Sequence, residues 1–257
     1  MTAIEQEIDV SCATGSAVVK GAPLEELSSS IVAQAAGEST IYPAHKGSYI
    51  RRGAGDRTNF WRYKRVVDVL VASALLIIFA PVMLAVGLLV ALTSPGPVLF
   101  RQKRLGRHNK MFHCFKFRSM VINAEEILAR NAELRAEFSE SFKLKNDPRV
   151  TPIGEFLRKS SLDELPQLFN VLRGDMTLIG PRPIVPTELE MYGMSSGKLL
   201  SVTPGLSGLW QASGRSETTY DERVAMDMDY IDRRSMLLDF TLIAKTAVAV
   251  FRRRGAR

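Results

Sequence analysis

The stretch VLVASALLIIFAPVMLAVGLLVAL, residues 69–92, decides the fold because it runs 24 residues without a charge. A helix needs about 20 apolar residues to cross the core of a bilayer. Basic residues flank the stretch on both sides: Arg51, Arg52, Arg57, Arg62, Lys64 and Arg65 before it, and Arg101, Lys103, Arg104, Arg107, Lys110, Lys116 and Arg118 after it. Since cytoplasmic loops collect Lys and Arg, both ends are typical of the cytoplasmic side.

Pro81 lies at the midpoint of this stretch and offers a physical reason for two cytoplasmic ends. Proline has no N–H for the carbonyl of Ile77, and its ring clashes with the preceding turn, so the helix kinks or breaks there. We therefore hypothesise a re-entrant membrane helix, with Ser73 or a neighbouring polar group bonding the freed carbonyls. An ordinary tilted span is the alternative, and the charge pattern alone does not separate the two.

The overall composition favours a protein that works at a membrane surface. The chain has 257 residues, a formal net charge of +7 and a pI near 9.5, which suits an anionic lipid surface, an anionic substrate or nucleic acid. Its two cysteines, Cys12 and Cys114, lie far apart, which argues against a disulfide framework and a cysteine metal site. The apolar stretch begins too late for a cleaved signal peptide, so we expect it in the mature protein.

The remaining patterns predict a mainly α-helical protein with one small β-hairpin. Residues 1–60 lack periodicity and are interpreted as a disordered tail, residues 61–95 as the membrane helix and residues 96–257 as a cytosolic domain. Strands are predicted over 98–102 and 111–117, joined by a turn at Gly106, and an amphipathic helix over 121–140. A helix capped by Thr151 follows. Residues 237–251 predict a helix that either lies on the membrane interface or packs against the core.

Two adjacent carboxylates, Asp163 and Glu164, are the first candidates for chemistry. They are predicted to open a helix that ends at Gly174, where backbone N–H groups and the helix dipole keep carboxylates ionised. Such a pair can bind Mg²⁺ together with substrate phosphates, and an ionised Asp can accept a phosphoryl group. Without further context, Asp163 is better explained as a helix cap and Glu164 as a first-turn charge.

Downstream motifs supply that context. Arg182 stands between two prolines after a Gly turn, which fixes its guanidinium in space and suits bidentate binding of phosphate; a structural ion pair is the alternative. Residues 203–215, which include Ser213-Gly214-Arg215, are predicted to form a Gly-rich basic loop of the kind that can approach a nucleotide closely; an irregular connector is the alternative.

With these motifs in order, the chain resembles the bacterial polyisoprenyl-phosphate hexose-1-phosphate transferases that have a small monotopic catalytic unit. The resemblance runs from Lys64 to Phe240. The matching motifs are Ser94-Pro95-Gly96-Pro97, Phe115-Lys116-Phe117-Arg118-Ser119-Met120, Leu162-Asp163-Glu164-Leu165-Pro166-Gln167, Ile179-Gly180-Pro181-Arg182-Pro183, Pro204-Gly205-Leu206-Ser207-Gly208-Leu209-Trp210 and Ser213-Gly214-Arg215. Each motif is weak alone, but their order along one chain is specific.

The resemblance implies transfer of a hexose 1-phosphate, glucose or galactose by a weak preference, from a UDP-sugar to undecaprenyl phosphate, with release of UMP. By the same resemblance Asp163 is the nucleophile, Glu164 supports a Mg²⁺ site together with Asp163, and Asp227 is a further acidic residue of the site. The candidates for contacts to the phosphates are four basic residues: Lys116, Arg118, Arg182 and Arg215. The product would initiate an exopolysaccharide repeat unit.

The resemblance also implies a re-entrant helix, interfacial amphipathic helices and a place on the cytoplasmic face of the bacterial inner membrane. Ala80 precedes Pro81 where many members of the family carry a serine, so the expected bend lacks that hydroxyl. Membrane lipid is an expected partner and nucleic acid is not, since no nucleic-acid-binding signature occurs. A homo-oligomer and polysaccharide-assembly partners are left open. A non-catalytic scaffold is the rival function, but it gives Asp163, Glu164 and Arg182 no purpose.

Overall fold

The computed structural model describes residues 54–141, 144, 146–213 and 218–251. The helices are α1 (Ala54–Thr93), α2 (Ala124–Arg130), α3 (Ala132–Ser141), α4 (Pro152–Ser160), α5 (Gln167–Arg173), α6 (Ser196–Leu199), α7 (Leu209–Ser213), α8 (Tyr220–Arg233) and α9 (Met236–Phe251). The strands are β1 (Leu99–Leu105), β2 (Met111–Phe117), β3 (Thr177–Ile179) and β4 (Gly205–Ser207). The prediction of a mainly helical protein with one long apolar helix and a small hairpin is confirmed.

Helix α1 contains the apolar stretch and is longer than predicted. It begins at Ala54, inside the segment 1–60 that we interpreted as a tail, while residues 1–53 of that segment lie outside the described part. The helical segment Phe60–Thr93 is long and apolar enough to cross a membrane. Only 11% of its most apolar 18-residue stretch is buried against the rest of the protein. The helix continues through Pro81 without interruption. The re-entrant hypothesis therefore requires a bend within a continuous helix instead of a break.

One stripe of α1 packs against the rest of the protein on both sides of Pro81. Its most buried members recur at helical spacing: Lys64, Asp68, Ala72, Val86 and Val90. The opposite face is exposed and almost wholly aliphatic: Val66, Leu70, Ile77, Ile78, Leu84, Leu88 and Leu92. The helix therefore lies along the remaining fold over most of its length, with an aliphatic surface directed away from it.

A buried ion-pair network fixes the N-terminal half of α1. The ammonium of Lys64 pairs with Asp239 of α9 and lies 3.9 Å from the carboxylate of Asp68. Asp68 in turn accepts hydrogen bonds from the Thr177 hydroxyl and, at 3.2 Å, from the backbone N–H of Leu178 in β3. The network thus joins α1 to both α9 and β3.

The predicted hairpin forms, with β1 antiparallel to β2 and Leu99 opposite Phe117. The amphipathic segment 121–140 is divided at Asn131, whose side-chain oxygen accepts from the N–H groups of Glu133 and Leu134 and so starts α3 afresh. The predicted Thr151 cap is confirmed, since its hydroxyl accepts from the N–H of Gly154 at 3.0 Å.

Helix α9 confirms the predicted packing of residues 237–251 against the core. Leu242 and Asp239 are buried in the fold, whereas the opposite side of the helix exposes large apolar side chains: Leu237, Phe240 and Val248. The helix therefore packs against the core along one face and leaves an apolar face open along the other.

A short parallel pairing of β3 with β4 joins the two Gly-rich motifs, which the sequence did not predict as strands. The backbones approach so closely that a Cβ atom on Gly205 would lie 2.1 Å from the nitrogen of Gly180, and one on Gly208 would lie 2.4 Å from the oxygen of Gly180. Glycine is needed here for backbone contact, which places the Pro-Arg-Pro turn directly beside the segment that leads to Trp210.

We predict that Gly205→Ala disrupts this crossing. Because the new methyl group would collide with backbone rather than with a flexible side chain, the variant should lose about 1–3 kcal/mol of stability or more. Gly87→Ala is the matched control, since a Cβ there would meet only ordinary side-chain contacts at 3.6 and 3.8 Å. Thermal unfolding of both variants in detergent checks this, and equal melting temperatures would contradict the crossing.

Candidate functional site

Asp163 and Glu164 lie in a tight turn between two helices. Ser161 adopts a left-handed backbone with φ of 58° at the end of α4, and a single 3-10 turn, Leu162–Glu164, follows. Helix α5 begins only at Gln167, so the prediction of a helix that opens near Asp163 is wrong, although its end at Gly174 is confirmed. The turn, rather than a helix N-terminus, presents the two carboxylates.

Lys116 of β2 holds the carboxylate pair from the opposite side. Its ammonium lies 2.6 Å from Glu164 and 4.0 Å from Asp163. The strand is kept in place by the fully buried Asn170, which accepts from the N–H of Phe115 at 3.0 Å and donates to the carbonyl of His113 at 2.7 Å. The predicted basic residue and the predicted acidic pair thus meet across a hydrogen-bonded joint between β2 and α5.

The two carboxylates have opposite electrostatic environments. Burial raises the pKa of Asp163 to about 6, and Lys116 opposes this rise only in part. Burial alone would also raise the pKa of Glu164, but Lys116 and Arg182 outweigh it and lower this pKa to about 2. Asp163 is therefore the more weakly stabilised anion of the pair, which is what a nucleophile requires.

Arg182 comes to the same site by the crossing of β3 and β4. Its positive charge acts on Glu164, as the pKa of that carboxyl shows. The guanidinium lies 5.8 Å from the centroid of the Trp210 ring and has no hydrogen-bond partner among the described residues. A half-buried guanidinium with free donors beside a carboxylate pair is available for an anionic ligand.

Sequence reasoning missed Arg104. It donates to the carbonyl of Pro183 at 2.8 Å and to Gln102, and it lies 3.5 Å from Glu188. Burial, helped by Arg182, lowers its pKa to about 10. The hairpin register places Arg104 on the same face as Lys116, so alternation along the strands could have indicated this residue.

Arg158 is a second basic residue that the sequence did not single out. It lies in the last turn of α4, donates from Nε to the Ser119 hydroxyl at 2.9 Å, and acts electrostatically on Asp163. Its place next to the acidic turn in sequence was an available signal.

Asp227 is buried in α8, and the positive charge of Arg182 acts on its carboxylate. One carboxylate oxygen accepts from the Tyr192 hydroxyl at 2.9 Å, and the other has no hydrogen-bond partner within the described residues. Burial raises its pKa to about 7, against the opposing effects of Tyr192 and Arg182. The structure thus places this third predicted acid within the electrostatic range of Arg182 and in a hydrogen bond with the Tyr192 hydroxyl.

Two of the four predicted phosphate contacts are not seen in the site. Arg118 is buried, and its guanidinium donates to the carbonyls of Val90, Ser94 and Pro97 at the end of α1. This corrects its assignment, because its donors bond the last turn of α1 and the turn that follows it. Arg215 lies outside the described residues.

The acidic pair has the donor chemistry that Mg²⁺ uses. Within the described part of the chain no cluster of three or more His, Cys, Asp or Glu residues could hold a metal ion on its own. Mg²⁺ is commonly bound by one or two carboxylates and completed by substrate phosphates and water, so Asp163 and Glu164 fit a site that needs the substrate.

Comparisons with known proteins identify a matching family and several similar sequences. The sequence model of the family described as bacterial sugar transferase matches residues 59–253. The undecaprenyl-phosphate galactose phosphotransferase of Salmonella typhimurium is 48% identical over 197 residues, which are 75% of this chain and 41% of that protein. The exopolysaccharide production protein ExoY of Rhizobium meliloti is 43% identical over 197 residues, 75% of this chain and 87% of ExoY.

A third relative is the UDP-glucose:undecaprenyl-phosphate glucose-1-phosphate transferase of Escherichia coli, 38% identical over 201 residues, 75% of this chain and 41% of that protein. The chain therefore spans about two-fifths of the Salmonella and Escherichia relatives and most of ExoY. In each of the three relatives the match covers three-quarters of this chain.

We predict that Arg118→Met lowers stability through the lost helix cap. Each hydrogen bond to a charged donor contributes roughly 1.5–3 kcal/mol, and the variant would leave buried carbonyls without partners. Arg101→Met is the control, since Arg101 is exposed and its described contact is with the ring of Phe115. A melting temperature of Arg118→Met equal to that of the control would contradict the capping role.

Proposed function

Because the chain belongs to the bacterial sugar transferase family, we propose that it transfers a hexose 1-phosphate from a UDP-sugar to a polyprenyl phosphate. The names of its relatives, galactose and glucose phosphotransferases that act on undecaprenyl phosphate, support undecaprenyl phosphate as acceptor and glucose or galactose as the sugar. The similarity to ExoY supports a role at the start of exopolysaccharide synthesis.

One observation carries the proposal: a buried carboxylate with a raised pKa lies beside an ionised one, and four cations act on the pair, namely Lys116, Arg104, Arg158 and Arg182. Asp163 is 6% exposed, and Lys116 and Arg182 compensate the charge of Glu164. Transfer of a phosphoryl group depends mainly on positioning and on charge neutralisation. A scaffold would not need to bury an acid among these cations, because the arrangement costs desolvation energy.

The reaction that this arrangement supports has two displacements at one phosphorus atom. A carboxylate oxygen of Asp163 attacks the phosphorus that carries the hexose, and the bond to the bridging oxygen breaks, so UMP leaves with that oxygen. An oxygen of the polyprenyl phosphate then attacks the same phosphorus, which releases the Asp163 carboxylate and forms the polyprenyl diphosphate sugar. No proton needs to be removed from either nucleophile when both are ionised.

The remaining residues of the site neutralise and orient the phosphates. Lys116 keeps Glu164 ionised at 2.6 Å, and Arg182 offers free donors to phosphoryl oxygens. Mg²⁺, when bound at Asp163 and Glu164, would neutralise phosphoryl charge. Arg104 positions the Pro-Arg-Pro turn through the carbonyl of Pro183. The high charge density suits a substrate that arrives with two phosphates.

We also propose that α1 is re-entrant and that the domain lies on the cytoplasmic face of the bacterial inner membrane. Lys64 contacts Asp239, and Val90 near the other end of the helix accepts from Arg118, so both halves of α1 touch the same domain. A straight crossing would carry residues 64 and 90 about 39 Å apart along the axis, more than the ~30 Å of a bilayer core. The exposed apolar face of α9 would then rest at the interface.

The activity is tested by release of UMP from a panel of UDP-sugars, with undecaprenyl phosphate, detergent-purified protein and either Mg²⁺ or EDTA. We expect Mg²⁺-dependent UMP release from UDP-glucose or UDP-galactose, and a loss of at least 1,000-fold in Asp163→Asn, by analogy with the removal of other catalytic nucleophiles. Asp232→Asn is the control, because Asp232 lies near the end of α8 and its side chain is 64% exposed. Equal turnover by Asp163→Asn and wild type would reject the nucleophile, and normal polysaccharide production by cells carrying Asp163→Asn would favour the scaffold.

The membrane topology is tested by single cysteines at Arg62 and Thr93, which are exposed near the two ends of the apolar stretch. In a background with Cys12→Ser, and with the buried Cys114 retained, a membrane-impermeant maleimide should label neither site in intact spheroplasts and both after permeabilisation. Labelling of only one site from outside would show a span and contradict the re-entrant helix.

A further inference from the structure

Two arginine side chains share the ring of Trp210. The guanidinium carbon of Arg182 lies 5.8 Å from the ring centroid, and that of Arg223 lies 4.9 Å from it. Trp210 itself is 7% exposed. Since a cation is attracted to the face of an indole within about 6 Å, one buried ring holds two like charges in the same region of the site.

Within the described part of the chain, neither guanidinium is paired with a carboxylate. Arg182 has no hydrogen-bond partner among the described residues, while Arg223 donates from Nε to the Thr218 hydroxyl at 3.2 Å and from Nη2 to the Thr218 carbonyl at 3.0 Å. Its second terminal nitrogen, Nη1, has no acceptor in the described part of the chain. Both side chains therefore keep donors for a ligand.

The nearby acids are already engaged. Glu188 lies 3.5 Å from Arg104 and also accepts from the backbone N–H of Val185. Asp227 accepts from Tyr192. Burial, followed by the positive charge of Arg182, lowers the pKa of Arg223. Like charges in partly buried positions destabilise the protein unless an anion compensates them, so the free energy of this arrangement improves when an anion binds.

The backbone around Arg223 is fixed, which suits a binding residue. Thr219 and Glu222 form a reciprocal capping box at the start of α8, with the N–H of Thr219 donating to Glu222 at 2.8 Å. Arg223 follows directly in the same turn. Its side chain is held by Thr218 and by the ring, so little side-chain entropy remains to be lost when a ligand binds.

We propose that Arg223 is a phosphate-binding residue and that Arg223 and Arg182, held on Trp210, form a two-guanidinium seat for phosphoryl oxygens. The assignment rests on the proposed function for the identity of its ligand. Two ligands offer this chemistry in that reaction: the diphosphate of the nucleotide sugar and the phosphate of the lipid acceptor. Paired forks bind phosphoryl oxygens bidentately, which a single Arg182 cannot do for two phosphates at once.

The test uses the full chain in detergent and three variants. Arg223→Gln removes the charge, and Arg223→Lys keeps the charge but not the fork. Arg233→Gln is the control on the same helix, because Arg233 is 69% exposed and its described ion pair is with Asp229, four residues earlier. Binding of UDP and of inorganic pyrophosphate is measured by titration calorimetry. The KM for undecaprenyl phosphate is measured separately, and thermal unfolding reports on the fold.

A donor-phosphate seat predicts that Arg223→Gln weakens UDP and pyrophosphate binding roughly 10- to 100-fold, as expected for the loss of a charged hydrogen bond. Arg223→Lys should fall between Arg223→Gln and wild type, and Arg233→Gln should match wild type. Unchanged UDP binding with a raised KM for undecaprenyl phosphate would assign the seat to the acceptor phosphate instead.

Unchanged values for both ligands in a folded Arg223→Gln or Arg223→Lys variant would overturn the proposal. Wild-type protein that binds UDP through Arg223 but releases UMP from no UDP-sugar would keep the seat and reject the proposed function. The two failures are therefore distinguishable, since calorimetry does not depend on turnover.

Discussion

The buried ammonium of Lys64 is the constraint on which the rest of the structure depends. Moving a charge out of water costs several kcal/mol unless partners compensate it, and here Asp239 and Asp68 supply two carboxylates. The carboxylates are satisfied in turn: Tyr230 lies 2.8 Å from Asp239, and Thr177 donates to Asp68. Helix α1, strand β3 and helix α9 are thereby held in one relative arrangement. Since β3 leads within three residues to Arg182, the position of the membrane helix and the position of the site are set together.

The glycines of the two Gly-rich motifs connect this arrangement to the site, because they allow β3 and β4 to lie in backbone contact next to Arg182. Gly180 and Gly205 let β3 and β4 cross at backbone contact, with the N–H of Gly205 donating to the carbonyl of Pro181 at 2.7 Å. Any side chain at either position would separate the strands and move Arg182 away from Trp210. The two motifs therefore depend on each other, because each needs glycine where the backbone of the other lies against it. Arg182 is rigid on account of the prolines beside it and of the strand pairing behind it.

Local patterns in the sequence predicted the parts of the site that depend on local structure. The hairpin, the Thr151 cap, the end of α5 at Gly174 and the long apolar helix all follow from neighbouring residues, and the structure confirms them. The start of a helix at Asp163 was predicted wrongly, because the left-handed Ser161 ends α4 and inserts a separate turn. A β-strand over residues 177–179 was missed because three residues give no alternation.

The wrong assignment of Arg118 and the failure to predict Arg104 and Arg223 have one physical cause. The donors of an arginine bind carbonyl oxygens and phosphate oxygens equally well. Arg118 follows Lys116 by two residues and so has the same apparent orientation, but carbonyls at and just after the end of α1 accept its hydrogen bonds. Arg104 and Arg223 lie far from the acidic pair in sequence, and only the hairpin register and the stacking on Trp210 bring them near Arg182. A motif can identify a basic residue, whereas its ligand depends on which acceptors tertiary structure leaves free.

The charge balance of the site explains why these arginines are needed together. Five cations, Arg104, Lys116, Arg158, Arg182 and Arg223, act on a region whose acids are Asp163, Glu164, Glu188 and Asp227. Burial raises the pKa values of Asp163 and Asp227, so these two acids are the least able to balance the cations. A substrate that brings a diphosphate supplies the missing negative charge, and in the proposed reaction the cations allow Asp163 to remain an anion beside it. In a site with fewer cations, the carboxylate and the diphosphate would repel each other, so the surplus of guanidinium groups is the condition under which an aspartate can act as a nucleophile towards phosphorus.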